Sequence, residues 1–332
     1  MPPPPPLLSR RAASGARGLG TVALAALLLV GCDFEVTVPI DVPELEPALV
    51  VYAFPSPDSA WAVRVGRTRP LSERAAGPRV ENAEVRLYED GALVETLVYD
   101  GGDPDGPDPS AFEPLAMYRS AAGLRPRVGP TYRVEVTAPG LPPASGETRL
   151  PDPPVATVSD APAPGPPGSQ RRRLRVTLDD PTGEDVYELA LLSRIRYEGF
   201  PDAPEQFRFF SSPSPSFRSG YEILDVDVAG GVDTDFCCGV VFRDRLFDGR
   251  RTAFEITYDA FFSNPDAEET LSVLMIRVSP EYADHEIRRA QQRENVDNPF
   301  AEPSPLYSNV QGGHGVVAGF TPLRLAVPPL GE

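Results

Sequence analysis

Residues 131–138, Thr-Tyr-Arg-Val-Glu-Val-Thr-Ala, alternate between polar and apolar side chains along their whole length. Successive side chains on an extended strand point to opposite faces. Tyr132, Val134 and Val136 therefore share one face, while Arg133 and Glu135 share the other, as on a half-buried strand. Similar short patterns recur through the first half of the chain and are cut off by Pro, Gly and Asp. Ala48 to Phe54 is apolar throughout, and Trp61 to Val65 alternates. Ala83 to Tyr88 and Leu93 to Tyr99 flank Glu89-Asp90-Gly91, a hairpin turn sequence, because Gly tolerates positive φ. Met117 to Ser120 and Glu147 to Leu150 complete seven candidate strands over about 105 residues, the spacing of a small β-sandwich.

Pro151 to Ser169 is dense in proline, which favours extended polyproline conformations and reads as a semi-rigid spacer. Beyond it the strand signal resumes at Leu174 to Leu178, Val186 to Tyr197, Ala253 to Tyr258 and Leu271 to Val278. Loops rich in Ser, Pro, Gly and Asp, at 210–220 and 229–235, lie between them. One helix interrupts the pattern. Ser279 suits the N-cap, Pro280 the first helical position, and Glu281 and Asp284 the positive end of the dipole, with an exit near Asn295. The expected fold is mainly β, with two tandem β-sandwich (Ig-like) domains and one helix near 280–295. The expected division is a leader at 1–31, an acidic tether at 32–46, an N-terminal sandwich at 47–150, a Pro-rich linker at 151–170 and a β-rich domain at 171–332.

The leader carries its own signal. Residues 1–31 contain no acidic residue. Arg10, Arg11 and Arg17 form a positive region, Leu19 to Val30 an apolar one, and Gly31 precedes Cys32. That order is a secretory signal segment too short to span a bilayer. Its ending, Leu-x-Gly-Cys, resembles a bacterial lipobox. The resemblance implies lipidation of Cys32, by a diacylglycerol thioether and further acyl chains such as palmitate, with cleavage just before it. The product would be anchored to membrane lipid through Cys32 without crossing the membrane. Asp33 and Glu35, directly after the anchor, bear on which membrane face the protein occupies.

Without the leader, 28 basic residues, all Arg, stand against 48 acidic ones. Such a surface repels polyanions, so nucleic acid is not an expected partner. Cys237 and Cys238 are the remaining cysteines. As neighbours on a strand they would point apart as free thiols, with a vicinal disulfide or metal ligation as alternatives. A disulfide framework is excluded, so stability has to come from apolar cores.

Few residues suggest chemistry. Asp100, Asp103, Asp105 and Asp108 lie in an Asp/Gly/Pro loop and are weak candidates for calcium, a hard cation that takes oxygen ligands. Their spacing misses the usual calcium-loop pattern, and a solvated acidic loop is the expected reading. Asp225, Asp227, Asp233 and Asp235 carry the same discount. His285 lies in the helix among charged neighbours and is expected on a solvated face. His314 lies in Gly312-Gly313-His314-Gly315 with no nucleophile motif nearby. No phosphate-binding Gly loop or dinucleotide fingerprint is present. Trp61 is expected to pack in a core. No cofactor and no enzymatic activity are expected.

Several segments together carry a resemblance. Glu46 to Val51 leads into Ser56-Pro57-Asp58-Ser59, followed by Val80 to Val85 and Gly129 to Val136. The most specific run is Asn298-Pro299-Phe300-Ala301-Glu302-Pro303, then Tyr307-Ser308-Asn309-Val310, then Gly313-His314-Gly315. The chain resembles the domain-of-unknown-function family numbered 4249, of Bacteroidetes-type lipoproteins. The resemblance implies an outer-membrane lipoprotein accessory to a TonB-dependent receptor, with no catalytic residues to carry over. A structural or adhesive envelope protein that binds a protein or glycan directly is the alternative, and a hydrolase is a distant third. Within the block, Gly313 and Gly315 suit a tight backbone passage, and Asn309 suits the satisfaction of buried backbone groups.

Overall fold

The computed structural model describes residues 46–69, 79–102, 115–162, 171–197, 206–210, 216–218, 223–224, 240–259, 267–296 and 305–328. The leader, Cys32, the tether up to residue 45, Cys237 and Cys238, and most of the loops at 210–220 and 229–235 lie outside the described residues. Residues 45–332 form one compact unit. The mainly β class is observed, with one helix among the described residues.

The first half contributes β1 (Leu49–Ala53), β2 (Ala62–Arg67), β3 (Glu84–Glu89), β4 (Ala92–Gly102), β5 (Ala116–Arg119), β6 (Thr131–Ala138) and β7 (Leu141–Arg149). The strand read most directly from alternation, β6, buries Tyr132, Val134 and Val136 as expected. The hairpin between β3 and β4 turns through Asp90 at φ 48° and Gly91 at φ 82°, both in the left-handed region that this tight turn requires. Trp61 is 1 % exposed in the core, tilted against Tyr132 at 5.2 Å between ring centroids.

The second half contributes β8 (Val155–Pro162), β9 (Arg171–Asp179), β10 (Val186–Tyr197), β11 (Gln206–Phe210), β12 (Ser216–Arg218), β13 (Ile223–Leu224), β14 (Val240–Arg243), β15 (Arg251–Asp259) and β16 (Ala267–Val278). After these come α1 (Pro280–Val296), β17 (Gly313–Val317) and β18 (Phe320–Ala326). The helix begins where its cap signals place it, with the Tyr282 N–H donating to the Ser279 carbonyl at 3.1 Å and the Ser279 hydroxyl within 3.4 Å. Part of the proline-dense segment is a strand. β8 lies at 155–162, before the Ala163-Pro164 to Gly168 run, and pairs antiparallel with β9 from Val155↔Asp179 to Pro162↔Arg172. Among the described strands it is the outermost of its sheet, with one edge unpaired, where a proline is tolerated.

Three cores organise these strands. The first sheet has the order β17-β1-β2-β5-β4-β3-β6-β7. Its two end strands meet, because Ser145 of β7 and Gln311 just before β17 exchange backbone hydrogen bonds of 2.9 and 2.7 Å. The sheet thus curls around Leu49, Val51, Trp61, Val63, Val85, Leu87, Tyr132 and Val134. The second core lies between a sheet β13-β14-β10-β16-β18 and a sheet β12-β15-β9-β8. The third joins the two lobes. In it, α1 and the β17–β18 connection pack between the outward face of β1 and the far side of β10, β14 and β16.

The C-terminal residues therefore serve both lobes. β17 pairs parallel with β1, from Leu49↔Gly313 to Ala53↔Val317, and β18 pairs with β16. Parallel pairing needs a long connection, here nearly the whole chain. A chain that ran through one lobe and then the other would not require it.

Candidate functional site

Among the described residues, those singled out for chemistry are not gathered into a site. Asp103, Asp105 and Asp108 lie outside the described residues, as do Asp225, Asp227, Asp233 and Asp235. Asp100 is exposed and ion-paired with Arg119 at 2.9 Å. Of the family-like block, Asn298, Pro299, Phe300, Glu302 and Pro303 lie outside the described residues. Tyr307, Ser308, Asn309, Gly313 and Gly315 lie at the seam of the first sheet. His314 is on β17 and exposed.

Asn309 does what its amide chemistry suggests. Its Nδ2 donates to the Val317 carbonyl at 2.8 Å and to the Glu147 carbonyl at 3.1 Å, and the Val317 N–H donates to its Oδ1 at 2.9 Å. One side chain thereby stands in for a strand residue between β17 and β7. Ser308 Oγ accepts from the Val310 N–H at 3.3 Å. The Gly319 N–H donates to Thr148 Oγ1 at 2.8 Å, and the Thr321 hydroxyl donates to the Pro151 carbonyl at 2.6 Å. The glycines have steric roles. Gly315 has φ 112°, and a Cβ there would collide with the Val51 carbonyl oxygen. At Gly313 a Cβ would lie 2.6 Å from the Leu49 oxygen.

A group not foreseen from sequence lies at the β9–β10 turn. Ligand oxygens of Asp180, Asp244 and Asp248 lie within 4.8 Å of one another. Asp180 accepts from the Tyr187 hydroxyl at 2.7 Å and the Gly249 N–H at 2.8 Å. Asp248 accepts from the Gly183 N–H, and Asp244 from the Asp185 N–H, both at 2.8 Å. Asp185 pairs with Arg277, whose Nε donates at 2.9 Å, while its Oδ2 is buried with no hydrogen-bond partner among the described residues. Burial pushes the Asp244 carboxyl up to about 6, and the charges of Asp180, Asp185 and Asp248 push the same way against the Asp185 N–H. Burial raises Asp180 as well, opposed by its Tyr187 and Gly249 hydrogen bonds. These three carboxylates are of the type that holds a hard cation. Each also takes a protein donor that ties two turns together, and this accounts for its position without an ion. The sequence signal was faint. Asp180-Pro181-Thr182-Gly183 and Asp248-Gly249 read as ordinary turns, and nothing local brings positions 180 and 244 together.

His285 requires a correction. Its charged neighbours in sequence suggested a solvated face, yet it is 5 % exposed. Tyr52 of β1 and Phe54 just after it pack on it at 5.8 and 6.2 Å between ring centroids. The helix turns its Tyr282, Ala283, His285 and Glu286 face into the third core, so the charged neighbours do not describe the environment of the ring. Glu286 is buried too, and Arg289 is its ion-pair partner, with Nε at 3.0 Å.

The family model described as "Domain of unknown function (DUF4249)" matches residues 35–324. No curated protein matches the chain. The match covers nearly all of the sequence, and the chain belongs to that family.

Proposed function

We propose that this DUF4249 protein is an outer-membrane lipoprotein, held to lipid through Cys32 and accessory to a TonB-dependent receptor in uptake. The observation that carries the reading is the order Leu29-Val30-Gly31-Cys32 at the end of an apolar, acid-free leader. It stands just before a family match that starts at residue 35, and the first strand among the described residues follows at Leu49. A cysteine so placed in the sequence precedes the family match, so that an anchor there attaches outside it. Two or more acyl chains hold stably where a single chain holds only marginally, since each buried methylene contributes about 0.8 kcal/mol. No helix of the described residues is long and apolar enough to cross a membrane.

The role proposed is binding rather than catalysis. Of the two histidines, His285 is packed against the rings of Tyr52 and Phe54, and His314 is an exposed side chain on β17 in register with Val50. Leu93, Val94 and Val98 of β4 are exposed apolar side chains of the kind that protein partners cover. Direct binding of a protein or glycan without a receptor is the second reading, and the same β4 surface favours it.

Mass spectrometry of the native N-terminal peptide tests the anchor. A thioether-diacylglycerol on a peptide that begins at Cys32 is expected, and Cys32→Ser should release the protein from membranes. An uncleaved leader or an unmodified Cys32 would end the lipoprotein reading. Affinity recovery from solubilised outer membranes tests the partner. Recovery of a TonB-dependent receptor is expected, and recovery with inner-membrane markers alone would refute it.

A further inference from the structure

The third core holds a titratable group that no proposed function uses. His285 comes from α1, and its nest is built by different parts of the chain. Tyr52 of β1 and Phe54 just after it pack on the ring, Tyr282 of α1 packs on Phe54, and Phe320 of β18 packs on Tyr282. Tyr307 lies on the segment that leads into β17. A ring nitrogen of His285 is hydrogen-bonded to the Tyr307 backbone. Nδ1 is buried with no hydrogen-bond partner among the described residues, so the bond belongs to Nε2, which donates to the carbonyl. Neutral His285 therefore fastens three things at once, namely the helix, the outward face of the first lobe and the strap that carries Asn309 to the seam.

A proton on Nδ1 would place a donor and a charge where no described group is matched to them. Among the described residues, the acids on that side of the joint are Glu286 and Glu188, with Glu281 and Asp284 toward the Tyr307 phenol. On α1 itself, Glu286 favours the cation and Arg289, paired with Glu286, opposes it. From β1 the facing group is the Tyr52 phenol, and on β2 its register partner Arg64 is a further cation on that face. On β10 the buried Glu188 accepts from the Tyr282 hydroxyl at 3.3 Å. From β14, Arg243 pairs with Asp284 at 3.2 Å. The strap supplies the Tyr307 phenol and carbonyl.

We propose that His285 is an acid-sensitive latch between the two lobes, which holds α1 and the strap onto β1 when neutral and frees them when protonated. Burial holds its affinity for a proton below that of an ordinary histidine, outweighing Glu286 and the Tyr307 carbonyl. A group with a depressed folded value binds its proton more readily once the joint opens. The stability it lends is present above the ordinary histidine range near 6.5 and is lost as pH falls below it.

The chain contains two histidines, in well-separated peptides. Hydrogen exchange at the imidazole C2 position, followed by mass spectrometry of the full-length protein across pH 4.5 to 8.5, reports both. His285 is expected to exchange slowly, with a midpoint below the ordinary histidine range near 6.5. A midpoint at or above that range would overturn the latch without touching the membrane proposal. Amide exchange supplies the mechanical half of the test. Protection in peptides spanning 49–54, 280–296 and 305–317, corrected for intrinsic rate, should fall roughly tenfold for each tenfold difference in proton affinity between closed and open joint. Protection in β9 and β15 should hold. His285→Gln, which keeps a donor for Tyr307, and His285→Phe, which fills the nest, should both abolish that pH dependence. Persistence of the dependence in a folded variant, or a uniform loss of protection over the whole wild-type chain, would refute the proposal. If neither variant folds, the wild-type midpoints and peptide map decide it.

Discussion

The two lobes of this protein close in different ways. The first brings the ends of one sheet together by close backbone approach. β17 lies against β1 and β7, and space for a Cβ is missing at Gly313, Gly315 and Gly319. The second closes by side chains. Phe242, Phe247 and Phe254 pack with centroids 4.9 to 6.1 Å apart between two sheets, with Tyr187 stacked on Phe242 at 5.7 Å. A backbone seam tolerates almost no added volume. A side-chain core loses energy in proportion to the atoms removed and can partly collapse around a vacancy. The first lobe should therefore be sensitive to additions and to the far end of the chain, and the second to truncations within it.

The largest effect is expected at the seam. Gly315→Val forces a branched side chain onto a positive φ and into the Val51 carbonyl, and should cost more than about 4 kcal/mol, the range where a single change unfolds a domain. Amide exchange should show β1 and β7 losing protection before β9 and β15 do. Simultaneous loss in both lobes would erase the contrast. Next is Phe254→Ala, expected to cost about 3–5 kcal/mol in denaturant melts, with the loss centred on the second lobe. Asn309→Ala removes three hydrogen bonds that replace a strand pairing, and should cost about 1–3 kcal/mol, read as earlier exchange at Val317.

The smallest change is a gain. Asp244 has a folded value near 6, above its unfolded one, so ionised Asp244 weakens the fold at neutral pH and protonation relieves this as pH falls through 6. Asp244→Asn keeps an acceptor for the Asp185 N–H. It should stabilise by on the order of 1 kcal/mol at pH 7.5, with the gain gone by about pH 4. A gain that persists unchanged at pH 4 would show that the carboxylate charge is not its source.

Legibility from sequence followed the same divide. β6, the β3–β4 hairpin and the start of α1 were readable because alternation, an Asp-Gly turn and a Ser-Pro cap act over a few residues. β8 was masked by proline density, since composition does not say which strand is an edge. β17 was masked by Gly312-Gly313-His314-Gly315, which has little strand propensity of its own and pairs only because β1 and β7 leave a narrow slot. His285 was misread because charge in sequence describes neighbours along the helix, whereas its burial comes from Tyr52 and Phe54, more than two hundred positions away. The carboxylates at 180, 185, 244 and 248 fall in two turns with no shared motif.

By itself the sequence determined the β-rich class, the periodicity that sorts inward from outward side chains, the helix cap and the family. Those are consequences of local sterics and of apolar pattern, both written in consecutive residues. Tertiary structure alone decided that the end of the chain closes the beginning, that Asn309 substitutes for a strand, and that a histidine among charges is buried among rings. Each depends on which distant segments share a volume, and a contact between positions hundreds of residues apart is settled by the packing of the whole.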